Sequence, residues 1–442
     1  MSEKKKIYKP KSISGFSEWL PEIRIIEQQW LDHIRSVFES YGYTSVETPA
    51  VEELDVLLAK GETDKEIYTL TRLQADPDDD KDARLGLHFD QTVPLARYTA
   101  QHFNELVFPF KRYQTQKVWR GERPQLGRSR EFMQCDIDVI NVDHLPLHFD
   151  AEMPAVIYEV LDGLNIGKFQ ISISNRKILL GLLEALGIED TIPVTRNVDK
   201  LEKIGAEAVT TILKDEASLS QEQIDAILQL AQNTDLSSVN AQNEQMQEGL
   251  DELNFVMDQL SHLPDHAIKA DLSIVRGLDY YTGTVYETKL LDIPEFTSSI
   301  CSGGRYDDLA GSFINRKLPG VGISIGFTRL FEVLQHNGLV QGERKCPADI
   351  LMILPSEERR AIVADTARTL RKRGFKVEQY HAPQKLQKQL SYAEKKKIPY
   401  VWFPPFEDDQ QHEVKNMNSG EQQKAELSTW SPQEDTSHEN AA

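Results

Sequence analysis

The sequence contains few cysteines and no long apolar run. Of its 442 residues only three are cysteines, Cys135, Cys301 and Cys346, and their spacing fits no metal-binding pattern. We therefore expect free thiols, a reducing cytoplasmic compartment and no protein-bound zinc. No stretch reaches the roughly 20 apolar residues that a membrane-spanning helix requires, so we expect no association with a membrane.

Positive charge is also scarce. Lys and Arg number 50 against 70 Asp and Glu, which gives a formal net charge of -20. This balance argues against a general nucleic-acid-binding protein, although a local basic surface can still contact a phosphate backbone. The basic start, MSEKKKIYKPKS, has no apolar stretch behind it and is therefore not expected to be a secretory signal.

Hydrophobic periodicity divides the first three quarters of the chain. Apolar residues at helical spacing predict a helix over residues 21–41, and a short strand follows up to Pro49. Two alternating segments, VFPFKRYQTQKVWRGE and FMQCDIDVIN, predict antiparallel strands joined by RPQLGRSR. Residues 176–262 are rich in Leu, Glu and Gln, which predicts an inserted helical module.

The last part of the chain alternates between strand and helix patterns, from DILMILPS to YVWFPP. This alternation predicts a small α/β domain with a largely parallel sheet. We therefore expect an α/β (α+β) protein with one domain over residues 1–335, which includes the insertion, and a second over 345–430. The polar tail, 431–442, is expected to be disordered.

Arginines cluster in the segment that joins the two predicted antiparallel strands. Arg120, Arg123, Arg128 and Arg130 fall within eleven residues. Guanidinium groups match phosphate oxygens in a bidentate manner, so the segment is either an anion site or a solvated basic loop. Phe132 follows on the next strand, where its ring either stacks on a purine or belongs to the core.

A second candidate segment is GVGISIGFTRL. The small residues Gly320, Gly322, Ser324 and Gly326 would let a ligand approach the backbone closely. Arg329, at the start of the following helical pattern, would add one more cation. Glycine-rich strand ends are common, so this segment alone does not identify a site.

These segments occur in the order of the three motifs of class II aminoacyl-tRNA synthetases. The stretches LHFDQTVPLARY, RGERPQLGRSREFMQCDID, VRGLDYYTGTVYE and SGGRYDDL resemble histidyl-tRNA synthetases in particular. The last two are specific to that family and its close paralogues. The resemblance extends from about residue 10 to residue 430.

The resemblance implies a fold, a reaction and partners. The fold would be an antiparallel-sheet catalytic domain with a helical insertion, followed by a small α/β anticodon-binding domain. The family uses ATP with Mg2+ to convert L-histidine to histidyl-adenylate, and then transfers the histidyl group to tRNA(His). It forms homodimers through the helix and strand that correspond to residues 21–49.

The resemblance also implies roles for the ATP-binding residues. Arg120 would bind the α-phosphate as a catalytic residue, and Arg329 would bind the γ-phosphate. Glu122 would accept a hydrogen bond from the adenine amino group, Phe132 would stack on the adenine ring, and Arg128 would contribute to the same site.

Histidine and tRNA would be held by other residues of the matched stretches. Arg276 would contact the reacting carboxylate and the α-phosphate, as the second catalytic residue. Arg123 and Gln125 would reach the acceptor end of the tRNA. The remaining contacts to histidine would come from Asp90, Gln91, Thr92, Gln134, Asp138, Tyr280 and Tyr281.

Two alternatives remain open, and two positions depart from the family pattern. A regulatory paralogue binds histidine without charging tRNA, but it would lose the phosphate arginines that this chain keeps. A class II synthetase for another amino acid would lack the Tyr280–Tyr281 pair. Thr328 stands where a glutamate usually precedes the motif 3 arginine, and His88 lies just before the segment that contains Asp90.

Overall fold

The computed structural model describes residues 8–60, 66–74, 84–275, 281–308, 310–407 and 409–432. Arg276, Tyr280 and residues 433–442 of the predicted disordered tail lie outside these ranges. The chain forms two compact units, one built from Met1–Glu18 and Trp30–Leu339, the other from Trp19–Gln29 and Val340–Ala442. In the described ranges no helix combines the length and the apolar character needed to cross a bilayer.

The helices and strands are numbered along the chain. The helices are α1 (Pro21–Ser40), α2 (Leu54–Leu57), α3 (Thr92–Gln101), α4 (His148–Gly163), α5 (Arg176–Ala185), α6 (Thr191–Val198), α7 (Leu201–Ala217), α8 (Gln221–Ala231), α9 (Glu244–Gln259), α10 (Phe327–His336), α11 (Arg360–Lys372) and α12 (Leu386–Lys396). The strands are β1 (Thr44–Ser45), β2 (Val51–Glu53), β3 (Thr69–Leu70), β4 (Leu85–Leu87), β5 (Phe110–Trp119), β6 (Glu131–Ile140), β7 (Phe169–Asn175), β8 (Ile268–Ala270), β9 (Tyr281–Leu290), β10 (Cys301–Tyr306), β11 (Gly320–Ile325), β12 (Ile350–Met352), β13 (Val377–Gln379), β14 (Tyr400–Phe403), β15 (Glu413–Asn416) and β16 (Gln422–Lys424).

The first unit is built around an eight-stranded sheet in the order β1-β5-β6-β11-β10-β9-β7-β8. Only the two outermost pairs, β1 with β5 and β7 with β8, are parallel; the other neighbours are antiparallel. The predicted antiparallel pair β5–β6 is confirmed, with Phe110 opposite Ile140 and Trp119 opposite Glu131. The predicted antiparallel-sheet fold is therefore confirmed, and β6 lies inside the sheet between β5 and β11.

Strand β6 is buried on both faces, although its residues alternate in polarity. Cys135, Ile137 and Val139 are fully buried and apolar. The alternate positions carry polar residues, among them Asp136 and Asp138, each only 4% exposed. Buried polar side chains on one sheet face are costly unless they are paired, so this face is a candidate site rather than ordinary core.

Residues between 176 and 262 form the helices α5 to α9, and side-chain caps mark where three of them begin. Asn175 accepts a hydrogen bond from the Lys177 amide before α5, and Asn243 accepts one from the Met246 amide before α9. Ser220 and Gln223 form a capping box at the start of α8. Such caps satisfy amides that the first helical turn leaves without partners.

The sheet of the second unit is only partly parallel. Its order is β13-β12-β14-β15-β16, in which β12 pairs in parallel with β13 and β14. Strands β15 and β16 continue the sheet in antiparallel fashion, which corrects the expectation of a largely parallel sheet. These two strands escaped prediction because Val414 is their only buried residue, so they lack an apolar alternation.

A buried ion pair anchors β10 to α4. The Nε and Nη2 of Arg305 donate to the Asp150 carboxylate at distances of 2.6 to 3.1 Å, and Nη2 also donates to the carbonyl of Leu145. Asp150 is fully buried and Arg305 is 9% exposed. The arginine of SGGRYDDL is therefore a structural anchor that holds the glycines of β10 in place.

We predict that Arg305→Met lowers the free energy of unfolding by about 3–5 kcal/mol, because it leaves the Asp150 charge buried without a partner. The double variant Arg305→Met/Asp150→Leu should recover most of this loss, since it removes both charges. Urea unfolding of the three proteins measures the effect. Equal stability of the single variant and the wild type would contradict this reading.

Candidate active site

A cleft of about 620 Å³, counted to its open mouth, lies over one face of the large sheet. Its walls come from the loop between β5 and β6, from β6 itself, and from the start of α10. They include Arg120, Glu122, Arg128, Phe132, Gln134 and Arg329. The structure thus brings together five predicted ATP-binding residues and one predicted histidine-binding residue.

Backbone carbonyls hold the guanidinium groups of the cleft in place. The Nε of Arg120 donates to the carbonyl of Phe89 at 3.0 Å, and its guanidinium lies 5.1 Å from the centre of the Phe132 ring. Arg329 donates to the carbonyls of Gly127 and Ser299, at 2.8 and 2.7 Å. These contacts hold two cations in the lining of the cleft without a bound ligand.

The loop between β5 and β6 is itself cross-linked. Glu122 forms an ion pair with Arg128, and its carbonyl accepts a hydrogen bond from Arg130 at 3.0 Å. Gln125 and Arg128 exchange backbone hydrogen bonds of 3.0 and 2.8 Å across the tip. Arg123, like Gln125, is exposed at this tip, where a large partner can reach it.

A second, smaller cavity of about 260 Å³ adjoins the cleft on the same sheet face. Thr92, Asp138 and Tyr281, all predicted to bind histidine, line it together with Asp136 and Tyr306. Ser302 of β10 and Ser324 of β11 line both cavities. A molecule in the small cavity would therefore lie next to a molecule in the cleft.

Asp138 is held as one half of a buried ion pair. Its Oδ2 lies 2.6 Å from a terminal nitrogen of Arg112 on β5, and its Oδ1 accepts a hydrogen bond from the Tyr306 hydroxyl at 3.1 Å. Burial raises the pKa of Asp138 to about 6, and Arg112 opposes that rise. Gly322 is required beside it, because a Cβ there would collide with the Asp138 carboxylate.

Asp136 was missed by the sequence analysis, although it has the same strand parity as Gln134 and Asp138. It forms a hydrogen bond with Ser324, while its Oδ1 has no hydrogen-bond partner among the described residues. Burial raises the pKa of Asp136 to about 7, again opposed by Arg112. Strict alternation along β6 was the signal that could have identified it.

The three residues of the predicted Asp90–Gln91–Thr92 element make different contacts. Asp90 accepts a hydrogen bond from the Val93 amide at 3.1 Å and so supports the start of α3. Gln91 is fully buried and donates to the carbonyls of Gln116 and Gln134, at 3.0 and 3.1 Å. Of the three, only Thr92 lines the small cavity, so Gln91 acts by joining α3 to β5 and β6.

Comparisons with known proteins identify the family of the chain. The family model for histidyl-tRNA synthetase matches residues 15–330, and an anticodon-binding domain model matches residues 349–431. The chain belongs to the histidyl-tRNA synthetase family.

Individual relatives match almost the whole chain. It is 60% identical to a histidine–tRNA ligase of Thermobifida fusca, over 97% of this chain and 100% of that protein. A histidine–tRNA ligase of Bifidobacterium animalis is 44% identical, over 95% and 96% of the two chains. The crystal structure of a Nostoc histidyl-tRNA synthetase, 39% identical, superposes with a TM-score of 0.86 over 95% of this chain and 97% of that one.

The two departures from the histidyl-tRNA synthetase pattern have structural explanations. The hydroxyl of Thr328 accepts a hydrogen bond from the Met133 amide at 2.8 Å and thereby ties α10 to β6. His88 is fully buried, with Nε2 2.7 Å from the carbonyl of Lys117. Burial lowers the pKa of His88, so a neutral ring packs behind the site.

The cleft does not offer the ligands of a protein-bound metal. Within the described ranges no group of three or more His, Cys, Asp or Glu side chains is placed to hold a metal ion. The one carboxylate among the cleft residues named above, Glu122, is paired with Arg128. The absence of protein-bound zinc stays a prediction.

Proposed function

We propose that this chain, a histidine–tRNA ligase, binds ATP in the cleft and histidine in the small cavity, and forms histidyl-adenylate where they meet. The observation that supports this most strongly is that Ser302 and Ser324 line both cavities. The carboxylate of histidine must attack the α-phosphorus of ATP, and reactants held side by side react as one bound unit.

The cleft would stabilise the triphosphate by charge. Arg120 and Arg329 are already positioned by carbonyl groups, so binding need not reorganise them. Negative charge spreads over the equatorial oxygens during phosphoryl and adenylyl transfer, and preset cations stabilise it. Arg120 would contact the α-phosphate, Arg329 the γ-phosphate, and Phe132 the adenine ring. Mg2+ would neutralise further phosphate charge.

The small cavity would select the amino acid. Asp138 presents an ionised carboxylate that Arg112 and Tyr306 orient, and it would accept the imidazole N–H. Thr92 and Tyr281 also line this cavity, and Gln134, which lines the adjoining cleft, would contact the ammonium group. Arg276 and Tyr280 keep their proposed roles from the family resemblance.

Transfer would require the tRNA to contact both units of the chain. Arg123 and Gln125 at the exposed loop tip would meet the acceptor end. In the second unit, the basic residues of α11, α12 and the turns beside them fall into two groups. Arg371 and Arg373 donate to backbone carbonyls, and Lys396 pairs with Glu378. The other basic residues are exposed and are our candidates for phosphate contact: Lys372, Lys385, Lys388 and Lys395, with Arg368 and Lys397, which form surface ion pairs with Asp365 and Glu343.

The regulatory paralogue is not favoured, because the relatives that match the full chain at 44% to 60% identity are histidine–tRNA ligases. The fold by itself does not separate the two functions. A Bacillus halodurans structure described as an ATP phosphoribosyltransferase regulatory subunit/histidyl-tRNA synthetase has a TM-score of 0.71 at 23% identity. The arginines of the cleft therefore carry the functional distinction.

We predict that Arg120→Ala lowers histidine-dependent exchange of pyrophosphate into ATP about 100- to 1,000-fold, since one preset donor to the transition state is lost. Arg316→Ala is the matched control, because Arg316 is exposed and lies outside both cavities. It should leave exchange unchanged. Wild-type exchange in Arg120→Ala would refute the role of Arg120, and no exchange in the wild type would refute adenylate formation.

We further propose a homodimer in the cytoplasm. Helix α1 followed by β1 corresponds to the dimer motif of the family, and the three cysteines are free and buried, as expected for a reducing compartment. Sedimentation equilibrium at micromolar concentration should give twice the 50.4 kDa mass of the chain. A single-chain mass would contradict the dimer.

A further inference from the structure

The proposed function gives no role to Asp136, although its carboxyl group lines the histidine cavity. Asp136 lies on β6 between Gln134 and Asp138, on the same face, and is 4% exposed. The carboxyl group forms a hydrogen bond with Ser324, and its Oδ1 has no hydrogen-bond partner among the described residues. A buried oxygen without a partner in a substrate cavity is costly unless a substrate atom meets it.

The two aspartates of the cavity have different surroundings. Asp138 has Arg112 at 2.6 Å and a hydroxyl donor, whereas Asp136 forms no ion pair within the described residues. Among the described residues, the charged or titratable groups around this region are Arg112 from β5, Asp138 from β6, Asp90 from the segment before α3, Tyr281 from β9, Tyr306 from β10, and the Cys135 and Cys301 thiols.

Among the described residues, Arg112 is the cation that acts on both Asp136 and Asp138. Because like charges disfavour each other's ionisation, one carboxyl group is best kept neutral. Asp138 is the group next to the arginine, so it keeps its charge. Asp136, which has no ion pair within the described residues, is therefore the carboxyl group that favours its neutral form, and burial raises its pKa to about 7.

A neutral imidazole ring needs two partners of opposite kind. One ring nitrogen donates a hydrogen and the other accepts one. An ionised carboxylate can only accept, whereas a protonated carboxyl group can donate. Asp136 and Asp138 are two positions apart on one strand, which corresponds to a rise of about 6.6 Å and allows a ring to lie between their side chains.

We propose that Asp136 donates its carboxyl O–H to the imidazole nitrogen that Asp138 leaves unpaired. This inference rests on the proposed histidine cavity and makes Asp136 a second specificity-determining residue. A side chain that lacks the accepting nitrogen would leave a buried donor unmet, and such mismatches are rejected strongly.

The proposal makes histidine affinity dependent on pH in a defined direction. Above a pH of about 7 the free protein loses the Asp136 proton, and binding must take one up. The dissociation constant of L-histidine should then rise with pH, approaching tenfold per unit. Asp136→Asn keeps a donor at this position that does not titrate, so its dissociation constant should rise much less.

Calorimetric titration with L-histidine from pH 7 to 8.5 tests this in the wild type, Asp136→Asn and Asp143→Asn. Asp143 is the matched control, because it is exposed just beyond β6 and its positive φ of 61° suits asparagine. It should behave as the wild type. Titration of the α-ammonium group of histidine affects all three proteins alike, so the difference in slope isolates Asp136. Equal slopes in all three would overturn the proposal.

A second measurement does not depend on any variant. Wild-type titrations at pH 8 in two buffers with different ionisation heats report the protons taken up, and we expect close to one per histidine bound. No uptake would overturn the role of Asp136 while leaving the cavity intact. By contrast, unchanged histidine affinity in Asp138→Asn would overturn the cavity assignment itself.

Discussion

Arg112 and Asp138 form an ion pair across neighbouring strands inside the large sheet, and the arginine is fully buried. Buried ion pairs contribute little net stability, because removing two charges from water is costly. The benefit of this pair is local: it fixes the charge and the orientation of one carboxylate in the small cavity. Gly322 leaves the space that the Asp138 carboxylate occupies. Gly320 leaves space for the ring of Tyr306, whose hydroxyl donates a hydrogen bond to Asp138.

The pairing of Arg112 with Asp138 also affects the protonation of the neighbouring carboxyl group. Since Arg112 is matched to Asp138, Asp136 is left as the carboxyl group that favours its neutral form. On the same face of β6, Phe132 and Gln134 extend toward the cleft. In the proposed function, this one strand would present a ring to adenine, an amide to the ammonium group and two carboxyl groups to imidazole, in the order of these groups along histidyl-adenylate.

The sequence predicted those parts of the structure that have a local pattern. Alternation identified β5 and β6, and helical spacing identified α1. Strands β15 and β16 have no apolar alternation, and only pairing with β14 creates them. The separation of Ser302 and Ser324 in the sequence does not show that they are neighbours. They lie opposite each other because β10 pairs with β11, which in turn pairs with β6. The pairing of Arg305 with Asp150 of α4 likewise depends on the tertiary fold, because 155 residues separate the two.

The central claim is that two adjoining cavities on one sheet face hold ATP and histidine side by side. A crystal structure with histidine and a non-hydrolysable ATP analogue tests it most directly. The account predicts phosphate oxygens within hydrogen-bond distance of Arg120 and an imidazole ring between Asp136 and Asp138. An imidazole ring bound away from β6, or a triphosphate outside the cleft, would contradict it.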